Sequence, residues 1–111
     1  MNIRVSSKSN EVSIISIEGD VDLYSSPKVR EKISRLIEKR VPVIMINLKG
    51  VRYMDSSGIA TFIEGFQKIR KYKGKLIFYN LQTLVRDVFK MTKLEKIFEV
   101  YDDENMAFAN I

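Results

Sequence analysis

Residues 43–58 read VIMINLKGVRYMDSSG, an apolar run that ends in a polar junction. The first six of them, Val43 to Leu48, are nearly all apolar, and three of the six are β-branched. A run of this length is too short for a typical helix and favours a central strand that is covered on both faces of its sheet. We therefore predict a buried strand that leads into the junction Met54–Gly58.

The apolar residues that follow Gly58 repeat with the period of a helix. They fall at positions i, i+3, i+4, i+7 and i+10, and they are Ile59, Phe62, Ile63, Phe66 and Ile69. This spacing predicts an amphipathic helix with one apolar face. The helix begins at the two serines, at the end of the strand, and open α/β sheets usually place their ligand and reaction sites at such strand ends.

Two interpretations of the junction are open from the residues alone. In the first, Asp55 is the N-cap and Ser56 and Ser57 only complete the first turn, since residues of these types stabilise helix starts. In the second, a serine hydroxyl is offered to a kinase, and its phosphate adds about −1.5 to −2 charges at the positive end of the helix, close to Asp55. In both, Gly58 allows another backbone or a partner to approach closely.

The rest of the chain predicts further strands and helices. Strands are predicted at Ile3–Ser6, Val12–Glu18, Leu76–Tyr79 and Ile97–Tyr101, the first two as a hairpin. One helix is predicted to start at Ser25-Ser26-Pro27, with a serine N-cap and the proline at the first helical position. Two more are predicted over Leu84–Met91 and from a cap at Asp102 to Phe108, and Gly74 is predicted as the left-handed stop after the serine-bearing helix. The order predicts one α/β domain over residues 1–111, with a mixed, mostly parallel sheet of four to five strands and about four helices packed on it.

This topology brings two loops to the same edge of the sheet. They are Asp20–Ser25, after the second strand, and Lys49–Ser57, after the central one. If the two strands are parallel neighbours, Asp22 is expected close to Ser56 and Ser57. Asp22 is interpreted as part of a polar turn, and because two loop carboxylates are only a fragment of a magnesium site, no metal is predicted.

The composition excludes several classes of function. The 111 residues include no cysteine and no histidine, which removes thiolate zinc sites, cysteine nucleophiles and Ser-His-Asp triads. Because the lone Ser56-Ser57-Gly58 also has no general base of suitable type, we predict a protein that is not an enzyme and uses no cofactor. The net charge of +5 is densest over residues 68–75, where the C-terminus of the predicted helix already favours cations, so nucleic-acid binding is not predicted. No signal peptide or apolar run of about 18 residues is present, so we expect a cytoplasmic protein without a membrane segment.

The sequence resembles the anti-sigma factor antagonists, small single-domain members of the STAS group, over nearly its whole length. The resemblance is carried by five segments: Gly19-Asp20-Val21-Asp22, the strand Val43–Leu48, Tyr53-Met54-Asp55-Ser56-Ser57-Gly58-Ile59, the turn Gly74-Lys75-Leu76, and the helix with Val85, Val88 and Phe89. The sequence departs from the family pattern at two places. Ala60, two positions after Gly58, is a mild change at a position where a small residue is common, and the loop Met91–Leu94 lacks a glycine that is often found there.

The resemblance implies a partner switch. The unphosphorylated protein is expected to bind an anti-sigma factor that is also a serine kinase, and so to release the sigma factor. Phosphorylation of Ser56 is expected to lower this affinity, and a metal-dependent phosphatase of the PP2C type to restore it. Asp22, Asp55, Ser57 and Gly58 are expected to form the partner-binding surface around Ser56, on a monomer or weak dimer.

Two other functions remain open at this point. The chain could be a STAS scaffold subunit of a larger stress-signalling assembly, in which phosphorylation only tunes the assembly. It could also be a nucleotide-binding regulatory module, although it has no glycine-rich phosphate loop of the Walker type and its junction offers a single glycine.

Overall fold

Five strands form one mixed sheet in the computed structural model, which describes every residue from Met1 to Ile111. The strands are β1 (Asn2–Ser7), β2 (Val12–Glu18), β3 (Val43–Gly50), β4 (Lys75–Tyr79) and β5 (Glu99–Tyr101). They lie side by side in chain order; β1 and β2 are antiparallel, and all later neighbours are parallel. The predicted hairpin and the mostly parallel sheet are confirmed.

Four α-helices connect or follow these strands, as predicted. They are α1 (Ser26–Glu38), α2 (Ser56–Arg70), α3 (Thr83–Met91) and α4 (Glu104–Ala109), and a short 3₁₀ turn at Leu94–Lys96 precedes β5. The longest, α2, has 15 residues, and none combines the length and apolar character that a membrane span requires.

Both faces of β3 are covered, because its side chains alternate between two apolar clusters. Ile44, Ile46 and Leu48 belong to the larger cluster, to which α1, α2 and α3 also contribute. Val43 and Met45 belong to a smaller cluster on the opposite face, which includes Ala107 of α4. The predicted central strand is thus confirmed, with three helices on one face and one on the other.

The end of α2 differs from the prediction. Lys73, not Gly74, adopts the left-handed conformation, with φ of 63°. Gly74 is required for space instead: a Cβ atom there would lie 2.6 Å from Cγ1 of Ile69 and 2.8 Å from Cε2 of Tyr72. The glycine therefore allows the chain to fold closely over the last turn of α2 before β4 begins.

A serine is the N-cap residue of α1, as predicted, whereas the predicted cap of α4 is wrong. The cap of α4 is Asp103, whose carboxylate accepts the N–H of Met106 at 2.8 Å, and not Asp102. Ser25 stands at the N-cap of α1, but its side chain makes no hydrogen bond to the helix. Its hydroxyl donates to the carbonyl of Asp20 at 2.7 Å, so Ser25 stabilises the preceding loop.

Candidate functional site

The two loops that follow β2 and β3 are joined by backbone hydrogen bonds. The N–H of Val21 donates to the carbonyl of Tyr53 at 3.0 Å, and the N–H of Asp55 donates to the carbonyl of Val21 at 3.1 Å. These bonds continue the parallel pairing of β2 with β3 beyond the ends of the two strands. The predicted convergence of the loops is confirmed, and it sets the start of α2 against the turn that contains Asp22.

Asp55 is the N-cap of α2, as predicted. Its Oδ1 atom accepts the N–H of Ser57 at 2.9 Å and that of Gly58 at 3.2 Å. These donors have no partner within the helix, so the carboxylate satisfies them and places negative charge at the positive end of the dipole. The second oxygen, Oδ2, accepts the N–H of Leu23 at 3.3 Å and so ties the other loop to the helix start.

Gly58 is buried directly against that loop. A Cβ atom at this position would lie 2.8 Å from the carbonyl oxygen of Val21 and 2.8 Å from Cγ of Met54. The glycine is therefore needed because another part of the same backbone approaches it. Gly58 lies beneath the surface of the site and fixes the distance between the two loops.

The two serines of the first turn differ in exposure. Ser56 is exposed, whereas Ser57 is half-buried. The carbonyl of Ser57 accepts the hydroxyl of Thr61 at 3.0 Å, and Thr61 in turn accepts a hydrogen bond from Arg30 of α1 at 3.3 Å. Ser57 is thus part of the packing between α1 and α2, while Ser56 presents its hydroxyl to solvent at the start of the helix.

Asp22 organises its own turn. Its Oδ1 atom accepts the backbone N–H groups of Tyr24 and Ser25, both at 3.0 Å. The N–H of Ser25, together with the Ser25 hydroxyl and the Tyr24 N–H, holds the pKa of Asp22 below its usual value because these bonds favour the charged carboxylate. Asp22 is therefore an ionised residue of a hydrogen-bonded turn, in accord with the interpretation of a polar turn. No group of three His, Cys, Asp or Glu side chains is arranged to hold a metal ion.

Three large side chains lie exposed on these loops: Leu23 and Tyr24, which the sequence analysis did not single out, and Tyr53 of the segment Tyr53–Ile59. Leu23 is 65% exposed, Tyr24 88% and Tyr53 51%. The signal that could have found them is the presence of a leucine and two tyrosines in the two loop segments. Leu23 and Tyr53 stand on the two loops whose backbones are joined at the start of α2, and Tyr24 follows Leu23 in the turn that Asp22 holds.

This chain is similar to known proteins along most of its length. The family model described as the STAS domain matches residues 4–107. The anti-sigma-B factor antagonist of Bacillus subtilis is 39% identical over 101 residues, which cover 90% of this chain and 92% of that protein.

Solved structures share the fold. The unphosphorylated form of the anti-sigma factor antagonist SpoIIAA superposes with a TM-score of 0.77 at 22% identity, covering 98% of this chain and 96% of that one. The phosphorylated form of SpoIIAA, the Bacillus cell fate determinant, gives 0.76 at 23% identity, covering 98% of both chains. The arrangement of sheet and helices described above is therefore similar to that of both forms.

Proposed function

Because the chain belongs to the STAS domain family, we propose that it acts as an anti-sigma factor antagonist. Its unphosphorylated form binds an anti-sigma factor and thereby releases a sigma factor for transcription. The name of the Bacillus subtilis relative supports this role, since that relative shares 39% of its residues over nearly the whole chain. Sigma factors act on RNA polymerase, so the proposed place of action is the cytoplasm.

The observation that carries the proposal is the exposed Ser56 at the first turn of α2, directly after the cap Asp55. We propose Ser56 as the phosphate acceptor and the anti-sigma factor as the serine kinase that modifies it. In that step the Ser56 hydroxyl oxygen bonds to the γ-phosphorus of ATP, the bond to the β-phosphate oxygen breaks, ADP leaves, and a base of the kinase takes the hydroxyl proton. The half-buried Ser57 is less accessible to a kinase.

Phosphate on Ser56 switches binding through local charge. It adds about −1.5 to −2 charges beside the carboxylate of Asp55, which already occupies the N–H groups of Ser57 and Gly58. Enclosing this charge in an interface costs desolvation and like-charge repulsion, so affinity falls. The helix N-terminus tolerates the phosphate in the free protein, so the fold is retained. The similar match to both forms of SpoIIAA is consistent with a switch that needs no refolding.

Hydrolysis of the phosphoserine by a metal-dependent phosphatase of the PP2C type completes the cycle. Water attacks the phosphorus, inorganic phosphate leaves, and the hydroxyl of Ser56 is regenerated. In both steps this chain is a substrate and binding partner, not an enzyme. Its two serines lack a neighbouring histidine or lysine base, and the carboxylate of Asp55 is engaged by backbone donors.

The position of the phosphate tests the proposal. The protein is incubated with ATP and its cognate kinase, and the modified residue is located by tandem mass spectrometry of the digested chain. We expect one phosphate on Ser56, none on Ser57, and no incorporation in Ser56→Ala. Phosphate on Ser57 alone, or no incorporation into the wild-type chain, would overturn the assignment.

A further inference from the structure

The strand β1 forms one open edge of the sheet. No strand lies beside it on the side away from β2, and all of its residues except Ile3 are exposed. It contains no proline, glycine or bulge, and Arg4 is its only charged side chain. An edge strand with these properties is a template for pairing with another strand, and proteins usually protect such edges by shortness, charges, proline or bulges.

The opposite edge of the sheet is protected in two of these ways. The strand β5 has only 3 residues, and α4 begins soon after it at Glu104. Glu99 also places a charge on this edge and forms an ion pair with Lys75 at 3.9 Å. The two edges therefore differ, and β1 is the one that is available for the addition of a strand.

The register of the hairpin shows which backbone groups of β1 point outward. Lys8 lies opposite Val12, and its N–H donates to the carbonyl of Val12 at 2.9 Å. In an antiparallel pair, residues that exchange hydrogen bonds alternate with residues that do not. The even-numbered residues of β1 are therefore bonded to β2, whereas Ile3, Val5 and Ser7 direct their N–H and C=O groups away from it. Val5 is also 44% exposed, so an apolar side chain accompanies these outward groups.

A second copy of β1 fits this edge in an antiparallel register whose two-fold axis passes through Val5. Val5 then lies opposite Val5 of the second copy, and Ile3 lies opposite Ser7 of the second copy. Each of these opposed pairs exchanges two hydrogen bonds, so all the outward groups of the three residues are paired. An axis through Ile3 would instead leave Ser7 without a residue opposite it.

The charges of the hairpin exclude the two registers next to the one centred on Val5. With the axis at Arg4, the arginines of the two copies face each other, and with the axis at Ser6, Arg4 faces Lys8 of the second copy. Like charges directly opposite each other destabilise a strand pair. In the register centred on Val5, Arg4 faces Ser6 of the second copy and no such contact arises.

We infer that two copies of this chain associate through antiparallel pairing of their β1 strands, centred on Val5, so that the two sheets become continuous. The inference goes beyond the proposed function and does not rest on it, because it concerns self-association alone. A strand of 6 residues is about 20 Å long, and pairing along it buries less than the about 800 Å² on each partner that is usual in a stable interface. The dimer is therefore reversible and dissociates on dilution.

Analytical ultracentrifugation of the purified chain over a range of concentrations measures this association. We expect the wild-type chain to approach a dimer as the concentration rises. Val5→Pro should weaken association at least about 10-fold, because it removes the N–H that each copy donates at the axis. Proline is tolerated in an edge strand where the N–H faces outward, so the fold should be retained. The matched control is Val5→Thr, which keeps the N–H and the branched side chain and should associate like the wild type.

A second variant covers the case in which the proline disturbs β1 itself. Val5→Lys keeps the backbone N–H and changes only a side chain that is 44% exposed. In the dimer it places two ammonium groups opposite each other at the axis. We expect this variant to unfold at the midpoint of the wild type and to remain monomeric.

Disulfide formation tests the register, because the chain contains no cysteine of its own. A mixture of Arg4→Cys and Ser6→Cys proteins should form linked heterodimers under oxidising conditions. Opposed residues that do not exchange hydrogen bonds have Cα atoms about 4.5 Å apart, a distance that a disulfide spans. Arg4→Cys alone should stay unlinked, because its two thiols lie on a diagonal of about 7–8 Å.

Three results would overturn the inference. The first is a wild-type chain that stays monomeric up to about 1 mM, and the second is a dimer that persists in both Val5→Pro and Val5→Lys. The third is linkage of Arg4→Cys alone without linkage of the mixture, which would show a different register. None of these results bears on the proposed function, since phosphorylation of Ser56 and binding of the kinase are measured separately.

Discussion

The Oδ2 atom of Asp55 lies 3.3 Å from the backbone nitrogen of Leu23, which belongs to the other loop of the site. The Oδ1 atom of the same side chain caps α2 by accepting the N–H groups of Ser57 and Gly58. One carboxylate therefore stabilises the start of the helix that presents Ser56 and holds the neighbouring loop against it. The geometry of the surface around Ser56 depends on this residue.

Replacing Asp55 by alanine is expected to destabilise the fold. The change removes the N-cap and the bond to Leu23, and loss of an N-cap alone typically costs about 1 kcal/mol, with a range of about 0.5–2. Asp55→Ser is the matched control, because serine caps a helix but has no second oxygen for Leu23. Urea unfolding should rank the free energies of unfolding as wild type, Asp55→Ser, Asp55→Ala; an alanine variant as stable as wild type would contradict this role.

Gly58→Ala is expected to destabilise the protein although alanine is usually the better helix residue. Within a helix the exchange normally gains about 0.5–1 kcal/mol. Here the added methyl group meets the carbonyl oxygen of Val21 at 2.8 Å, and overpacking of this kind costs about 1–3 kcal/mol.

Gly65→Ala provides the comparison for Gly58→Ala. Its nearest contact is a side-chain methyl of Ile33 at 3.1 Å, which can shift more easily than backbone. We expect a lower denaturation midpoint for Gly58→Ala than for Gly65→Ala. A Gly58→Ala protein more stable than wild type would show that the two loops are not held as close as described.

Stability is expected to fall at high pH because of Tyr79. This side chain is buried, and its hydroxyl donates to Glu104 at 3.0 Å. Burial raises the pKa of Tyr79 well above the ordinary value of 10.0, and the hydrogen bond to Glu104 and the charge of Glu104 raise it further. Since the pKa is higher in the folded state, the unfolded chain loses this proton first. The stabilisation is therefore complete below pH 10 and is lost as the pH rises above that value.

Urea unfolding of wild type and Tyr79→Phe between pH 8 and about pH 11 measures this effect. The phenylalanine variant lacks the titrating group, so its free energy of unfolding should decline less steeply above about pH 10. Some decline should remain, because the pKa values of Tyr72 and Tyr101 are also raised by burial. Equal slopes for the two proteins would contradict the assignment to Tyr79.

The sequence predicts those features that depend on local patterns. The apolar run at Val43–Leu48 and the helical spacing from Ile59 to Ile69 predict β3 and α2, and the position of Asp55 predicts its cap. These features follow from periodicity and from the chemistry of a helix terminus, which neighbouring residues determine.

Features that depend on distant contacts could not be predicted in the same way. The left-handed residue after α2 is Lys73, whereas Gly74 is needed where the chain packs on Ile69. The bond between Asp55 and Leu23 joins residues 32 positions apart. The exposure of Tyr24 is set by the same tertiary arrangement, which periodicity does not report.

Substitutions of Ser56, the proposed acceptor, separate binding from switching. Ser56→Ala removes one hydroxyl from an exposed position, so it should bind the kinase with near wild-type affinity but show no loss of binding after incubation with ATP. Ser56→Asp places a permanent charge beside Asp55 and should bind poorly. Pull-down with the kinase before and after addition of ATP measures both; strong binding by Ser56→Asp would argue against a switch based on charge.

The most direct test is the calorimetric affinity of the kinase for unphosphorylated and Ser56-phosphorylated protein, measured with the unfolding midpoint of each form. We predict that phosphorylation weakens binding by about 5–150-fold, the usual range of regulatory coupling, while the phosphorylated chain keeps a cooperative unfolding transition and the circular dichroism spectrum of the same fold. Equal affinity of the two forms, or weaker binding that accompanies unfolding of the chain, would contradict the account.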